Sequence, residues 1–290
     1  MSEQKDIDAI SGVETTGHEW DGIKELNNPL PNWWRWIFYA TVVWSIGYWI
    51  VYPAWPTLSG YTQGVIGYSS RAEVAARLSE AEAAKSGYLA RIEQASLEEI
   101  RSDEDLLNFA LAGGRSAFAV NCSQCHGSGA QGSAGYPNLN DDEWLWGGDL
   151  EAIAFTIRHG IRNTVDEEAH YSEMPRFGTD EILTREEIAS VAAYVRLVSG
   201  QDVEVDLAAG GSEVYAEQCA ACHGENGGGD VTLGAPALNN AIWLYGGDQD
   251  AVVETITKSR YGVMPPWGRI LDDATIKQLA VYVHSLGGGQ

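Results

Sequence analysis

The sequence predicts an all-α protein in which one amino-terminal transmembrane helix is followed by two tandem helical domains of the same plan. Three observations predict it. No charged residue lies between Arg35 and Arg71, and this interval opens with a long apolar and aromatic segment. From Gly113 onward, blocks of sequence return in the same order after roughly 90 to 99 positions. Apolar residues recur at helical spacing in Glu186 to Leu197 and in Ala274 to Leu286, and no convincing alternating strand appears. The expected division is 1–32 as a tail, 33–56 as the transmembrane helix, 57–105 as a linker and helix, 106–200 as the first repeated domain and 201–290 as the second.

The tail is polar, with Asp6, Asp8, Glu14, Glu19, Asp21 and Glu25, and lacks the apolar run and small-residue site of a cleavable signal peptide. Trp33 to Trp55 is a little over ~20 residues, enough to cross a hydrocarbon core of about 30 Å as a helix. Trp33, Trp34 and Trp36 at one end and Trp49 and Trp55 near the other suit an aromatic belt at each interface. Arg35 can snorkel to headgroups, and Pro53 and Pro56 close the helix. The lipid bilayer is therefore an expected partner, against the plainer reading of a buried core helix. Residues 56–70, rich in Gly, Ser and Thr, read as a tether. Arg71 to Ser102 has helical composition with a thin apolar stripe of Val74, Leu78, Leu89 and Ile92.

The repeat contains all four cysteines. Gly113-Gly114 and a helix with Phe118 lead to Cys122-Ser123-Gln124-Cys125-His126; Gly210-Gly211 and a helix with Tyr215 lead to Cys219-Ala220-Ala221-Cys222-His223. Pro137 matches Pro236, Trp144 to Asp149 matches Trp243 to Asp248, and Met174-Pro175 matches Met264-Pro265. The offset falls before the methionine, so the first unit holds an insertion of roughly nine residues around Asn163 to His170.

Cys-x-x-Cys-His is the attachment signature of c-type haem. Two intervening residues put both thiols on one side of a helical turn, and the next residue presents its imidazole to the metal. A thioredoxin-like redox pair or a zinc site built from both Cys pairs explains neither histidine. The expected cofactors are two covalently bound haem c groups, attached at Cys122, Cys125, Cys219 and Cys222, with His126 and His223 as axial ligands. Because c-type haem is attached outside the bacterial cytoplasm, the motif-bearing part is expected in the periplasm and the amino-terminus in the cytoplasm.

What fills each second axial position separates electron transfer from ligand chemistry. The chain has three methionines; apart from Met1 they fall one per repeat, at equivalent places. A thioether favours ferrous iron, so Met174 and Met264 are the candidate metal ligands, against the usual role of methionine as a core filler. His159 and His170 also lie between Cys122 and Met174 and leave a bis-histidine first site open. The carbonyls of Pro137 and Pro236 could accept the second ring N–H of each motif histidine, or the prolines could simply form turns.

Forty-one acidic against 18 basic residues give a net charge of -23, which excludes nucleic acid as a partner and favours a basic protein, or serves solubility alone.

Taken together, Gly17-His18-Glu19-Trp20-Asp21-Gly22-Ile23, Asn27-Asn28-Pro29-Leu30-Pro31, Trp33-Trp34, the anchor and the two haem motifs resemble the dihaem subunit III of bacterial cbb3-type cytochrome c oxidase over nearly the whole chain. The resemblance implies two tandem cytochrome c domains after a single inner-membrane helix. It implies an electron-relay subunit without a catalytic centre of its own. Its partners would be a soluble or membrane-anchored donor cytochrome c, the monohaem cytochrome c subunit, and the haem-copper catalytic subunit of a proton-pumping, oxygen-reducing complex. It pairs His126 with Met174 and His223 with Met264, with His159 or His170 as replacements for Met174 where ligation varies. A free-standing membrane-anchored shuttle cytochrome and a dihaem peroxidase are the competing functions; the first needs no specific tail and the second needs an open iron.

Overall fold

The computed structural model describes residues 6–288, so the first five residues of the expected tail and the last two of the second expected domain lie outside the description. The chain divides into two compact units, Met1–Ala83 and Ala84–Gln290.

In the first unit, β1 (Thr15–Trp20) and β2 (Ile23–Leu26) pair antiparallel. The turn between them is Asp21-Gly22, with φ of 48° and 86°. Asp-Gly is the pair that tolerates positive φ at both central positions of a tight hairpin. A second hairpin joins β3 (Pro56–Thr57) to β4 (Gly60–Tyr61). The all-α expectation is corrected here: the strands are too short and too polar to show alternation, and only the first hairpin is announced, by its Asp-Gly turn.

Between the hairpins lies α1 (Asn32–Val51), 20 residues long with no buried side chain. It ends before Pro53, whose preceding residue Tyr52 is extended as proline requires. Among the described residues, no helix is long and apolar enough to cross a membrane. The span expected over 33–56 is thus a shorter helix, and its five tryptophans, two tyrosines, Arg35, Thr41 and Ser45 hold its hydropathy down. The Thr41 and Ser45 hydroxyls donate back to Phe38 O and Thr41 O, at 2.7 and 2.8 Å. Helix α2 (Ser70–Gln94) runs through the boundary between the units.

The second unit contains α3 (Leu97–Ser102), α4 (Glu104–Asn121), α5 (Ser123–His126), α6 (Leu150–His159), α7 (Arg185–Val198), α8 (Val205–Gln218), α9 (Ala220–His223), α10 (Gln249–Lys258) and α11 (Asp273–His284). A 3-10 turn, Trp267–Arg269, precedes the last helix. The repeated Gly-Gly-Asp block has a local cause. Asp149 and Asp248 cap α6 and α10, each accepting the N–H three residues on. Thr184 with Glu187, and Ser96 with Glu99, form capping boxes on α7 and α3.

Two hydrophobic cores form, and neither is made from one repeat. The first buries Ile100 of α3, Phe118 of α4, Ile153 and Ile157 of α6, and Ile276 and Leu279 of α11. The second buries Ile188 and Val191 of α7, Tyr215 of α8, and Val252 and Ile256 of α10. The last helices are therefore exchanged. Helix α7, from the first repeat, packs on α8 of the second, and α11 packs on α4 and α6 of the first. The connection from Val198 to Val205 is too short to carry α8 away from α7, and elements joined by short connections settle side by side. The small faces of α4 and α8 permit close crossings: Gly114 lies against Gln278 and Tyr282 of α11, and Gly211 against Ser190 and Val191 of α7.

Two candidate haem sites with exchanged methionines

Helix α4 runs directly into the first motif. Cys122 ends it, its N–H still bonded to Phe118 O at 2.9 Å, and the N–H groups of Cys125 and His126 both return to Cys122 O, at 3.1 and 3.0 Å. The turn closes at Gly127, φ 81°, a conformation that disfavours any side chain. The second motif repeats every step: Cys219 N–H to Tyr215 O at 2.9 Å, His223 N–H to Cys219 O at 2.9 Å, and Gly224 at φ 77°. Each loop then wraps back onto its histidine, with Gly132 N–H on His126 O at 2.7 Å and Gly229 N–H on His223 O at 2.9 Å.

The proline carbonyls hold the imidazoles. His126 Nδ1 lies 3.0 Å from Pro137 O, and His223 Nδ1 lies 2.9 Å from Pro236 O. A carbonyl only accepts, so Nδ1 carries the hydrogen and Nε2 keeps the lone pair that a metal needs. Burial pushes both imidazoles below their ordinary pKa, so they stay neutral. None of the four cysteines forms a disulfide. Burial, followed by the neighbouring motif cysteine, raises the Cys122 and Cys219 thiols to about 11 each. Two thiols on one turn, an oriented neutral imidazole and an apolar wall suit covalently attached haem; His126 with Cys122 and Cys125, and His223 with Cys219 and Cys222, are the residues that would hold it.

The methionines fall into the opposite cores from those their repeats suggest. Met264 packs against the first core, the one that Cys122 also borders, and Met174 packs against the second, bordered by Cys219. This placement is the reverse of the repeat order, in which Met174 follows the Cys122 motif and Met264 follows the Cys219 motif. The physical reason is a backbone clamp: Ile161 N–H donates to Met264 O at 3.0 Å, and Met264 N–H returns to Ile161 O at 2.9 Å. Gly160 comes so close to Met264 O that a Cβ would stand 2.3 Å from it.

His159 and His170 take other partners. His159 Nδ1 lies 3.2 Å from both carboxylate oxygens of Asp166. The His170 ring stacks on Trp146, centroids 4.2 Å apart. Sequence reasoning missed Arg162, whose Nε donates to Ser172 O at 2.6 Å and whose Nη1 donates to Gly262 O at 3.2 Å. One guanidinium thus ties together the segments leading to both methionines. The offset change around residue 163 was its only trace in the sequence.

Comparison with known proteins adds the family. The family described as the N-terminal domain of cytochrome oxidase-cbb3, FixP, matches residues 12–59; cytochrome c matches 111–199; and cytochrome c oxidase, cbb3-type, subunit III, matches 206–283. The cbb3-type cytochrome c oxidase subunit CcoP of Cereibacter sphaeroides is 53% identical over 95% of both chains. Subunit FixP of Sinorhizobium medicae is 52% identical over 99% of this chain and 98% of its own, and FixP of Azorhizobium caulinodans is 52% identical over 98% and 96%. The chain belongs to the CcoP/FixP family of cbb3-type oxidase subunits. Both cytochrome c units of the sequence reading are present, and with them two covalently bound haem c groups.

Proposed function

We propose that this chain is the electron-relay subunit of a bacterial, membrane-associated cbb3-type oxidase. It takes electrons from a donor cytochrome c and passes them through the monohaem cytochrome subunit to the haem-copper subunit. Each site is closed by His and Met: His126 with Met264, and His223 with Met174. The observation that carries this reading is the repeated geometry, in which each motif histidine is oriented by a proline carbonyl inside a core that also contains one methionine. A closed iron suits outer-sphere electron transfer and leaves no position for peroxide.

Helix α1 supports the anchor. Its 20 residues fall short of an ordinary span in apolar character, yet large aromatic side chains are exposed along its whole length. Such a face needs lipid or partner helices to cover it. We assign the amino-terminus to the cytoplasm and the haem units to the periplasm. The net charge of -23 supports a basic donor, whose reduction of this chain should slow as salt is raised.

The test is a pair of variants in the purified complex. Met264→Ala should abolish methionine ligation at the haem on Cys122 and Cys125 while sparing the other; Met174→Ala should do the reverse. Loss at the haem of the same repeat would reject the crossed pairing, and stoichiometric carbon monoxide binding by the unsubstituted reduced chain would reject closed sites.

A further inference from the structure

The two repeats touch each other at equivalent positions, and the contacts are reciprocal. Trp146 of the first repeat lies against Gly234 of the second, where a Cβ would come within 2.5 Å of the indole Cη2. Tyr245 stands in the register of Trp146 and lies against Gly135, the counterpart of Gly234; a Cβ there would stand 3.3 Å from Tyr245 Cε1. Gly135 N–H also donates to Leu244 O at 2.8 Å.

Each glycine sits in the turn that presents a proline carbonyl. Asp230 and Ala235 exchange N–H···O bonds across Gly234, at 2.9 and 3.0 Å, and Pro236 follows at once. Ser133 and Tyr136 do the same across Gly135, at 3.0 and 2.8 Å, and Pro137 follows. Pro236 O accepts from His223 Nδ1, and Pro137 O accepts from His126 Nδ1. Trp146 therefore leads to the histidine of the second motif, and Tyr245 to that of the first. The two rings have different backing. The His170 imidazole stacks on Trp146, centroids 4.2 Å apart and planes within 10° of parallel, whereas the Arg260 guanidinium covers Tyr245 at 4.8 Å. The insertion that ends at His170 thus supplies the backing of Trp146.

We propose that Trp146 and Tyr245 are positioning residues for the axial histidine of the opposite repeat: Trp146 for His223 through Gly234 and Pro236, and Tyr245 for His126 through Gly135 and Pro137. The inference rests on haem attachment at both motifs. Without its ring a turn loses its brace and the carbonyl withdraws from the Nδ1–H. An imidazole with a weaker acceptor on that N–H donates less to iron, so the ferrous state gains and the potential rises.

The test uses the whole oxidase complex with Trp146→Leu, Tyr245→Leu and the ring-keeping controls Trp146→Phe and Tyr245→Phe. Cys122→Ala and Cys219→Ala each leave one vinyl group unreacted, which shifts the absorbance band of that haem and tells the two apart. Redox titration followed by absorbance gives the potentials, and the ferric low-spin g values report the axial imidazole. In W146L we expect the haem on Cys219 and Cys222 to shift toward ferrous by about tenfold in its equilibrium ratio, about 59 mV for one electron, with changed g values and the other haem unmoved. Y245L should do the reverse, and both Phe variants should stay near the unsubstituted values. Gly234→Ala drives the indole off its seat and should reproduce W146L, which covers the case in which W146L does not assemble. A shift at the haem of the ring's own repeat, an equal shift at both haems, or unchanged potentials and g values would overturn the proposal. Peptide mass analysis of the unsubstituted chain separates this from failure of the underlying reading, since absence of haem on either motif would show there.

Discussion

Gly114 sits where α4 crosses α11, and Gly114→Ala tests whether the exchanged helix really serves the first iron. A Cβ there would stand 2.2 Å from Gln278 O and 2.6 Å from Tyr282 Cβ. The first contact is backbone and cannot rotate aside. Reaching the 3.0 Å that Cβ contacts essentially never undercut requires α11 to retreat by at least 0.8 Å, the difference between 3.0 and 2.2 Å. A gap of 0.5–1 Å forfeits about a quarter to a half of each dispersion well. The contacts at stake join Ala110 and Phe118 to Leu279 and Val283, all buried. Overpacking of this kind costs about 1–3 kcal/mol. Because α11 closely follows Met264, the damage should reach methionine ligation at the haem on Cys122 and Cys125, and leave the other haem alone. The assay is the ferric methionine-to-iron charge-transfer band with redox titration, in G114A alone and combined with M264A or M174A. We expect coupling of about 0.5–3 kcal/mol with M264A and additivity within about 0.5 kcal/mol with M174A. Coupling to M174A alone, or a G114A protein with both bands and its melting temperature intact, would refute the reasoning.

Two further predictions follow from the same unit. Arg162→Gln breaks the tie between Ser172 O and Gly262 O and should weaken methionine ligation at both haems, unlike either methionine variant; charge-transfer bands of the two sites in R162Q decide it. Thr184→Ala removes a cap from α7 and should cost about 1 kcal/mol at neutral pH, measured by urea unfolding. Glu187, its partner, is held below its ordinary pKa by the Thr184 N–H and then the Thr184 hydroxyl. A depressed carboxylate stabilises above its unfolded pKa and loses that effect as pH falls through the folded one, so the gap between T184A and the unsubstituted protein should narrow in acid below the ordinary carboxylate range.

Much of this was legible because the sequence is periodic at two scales. Helical spacing disclosed α7 and α11, and the long repeat disclosed both haem motifs, the caps Asp149 and Asp248 and the prolines whose carbonyls hold His126 and His223. The hairpin of β1 and β2 was missed because two short polar strands carry no alternation; Asp21-Gly22 was the available signal. The helix exchange was missed for a different reason. Repeat alignment says which segments are alike, whereas partner choice depends on chain connection, and Val198 to Val205 is short. The same ignorance of partners hid the Ile161 clamp on Met264, since a main-chain pairing leaves no side-chain signature.

The exchange also bears on how far each repeat stands alone. If α7 serves α8 and α11 serves α4, then separating the halves between Ser199 and Gln201 removes from each the helix that covers its motif. Residues 106–200 would keep α4 and α6 but expose the faces of Phe118 and Ile153 that α11 buries; residues 201–290 would lose Ile188 and Val191 from around Tyr215. Burying one such side chain is worth about 1.5–3 kcal/mol, and several are lost at once, against a whole-domain stability of about 5–15 kcal/mol. Each half should therefore be unstable alone. Mixing the two separately produced, haem-loaded halves should restore stability and both methionine bands if the exchange is an energetic requirement. Halves that each melt cooperatively, show the methionine band and gain nothing on mixing would mean that the exchange follows from the short connection alone.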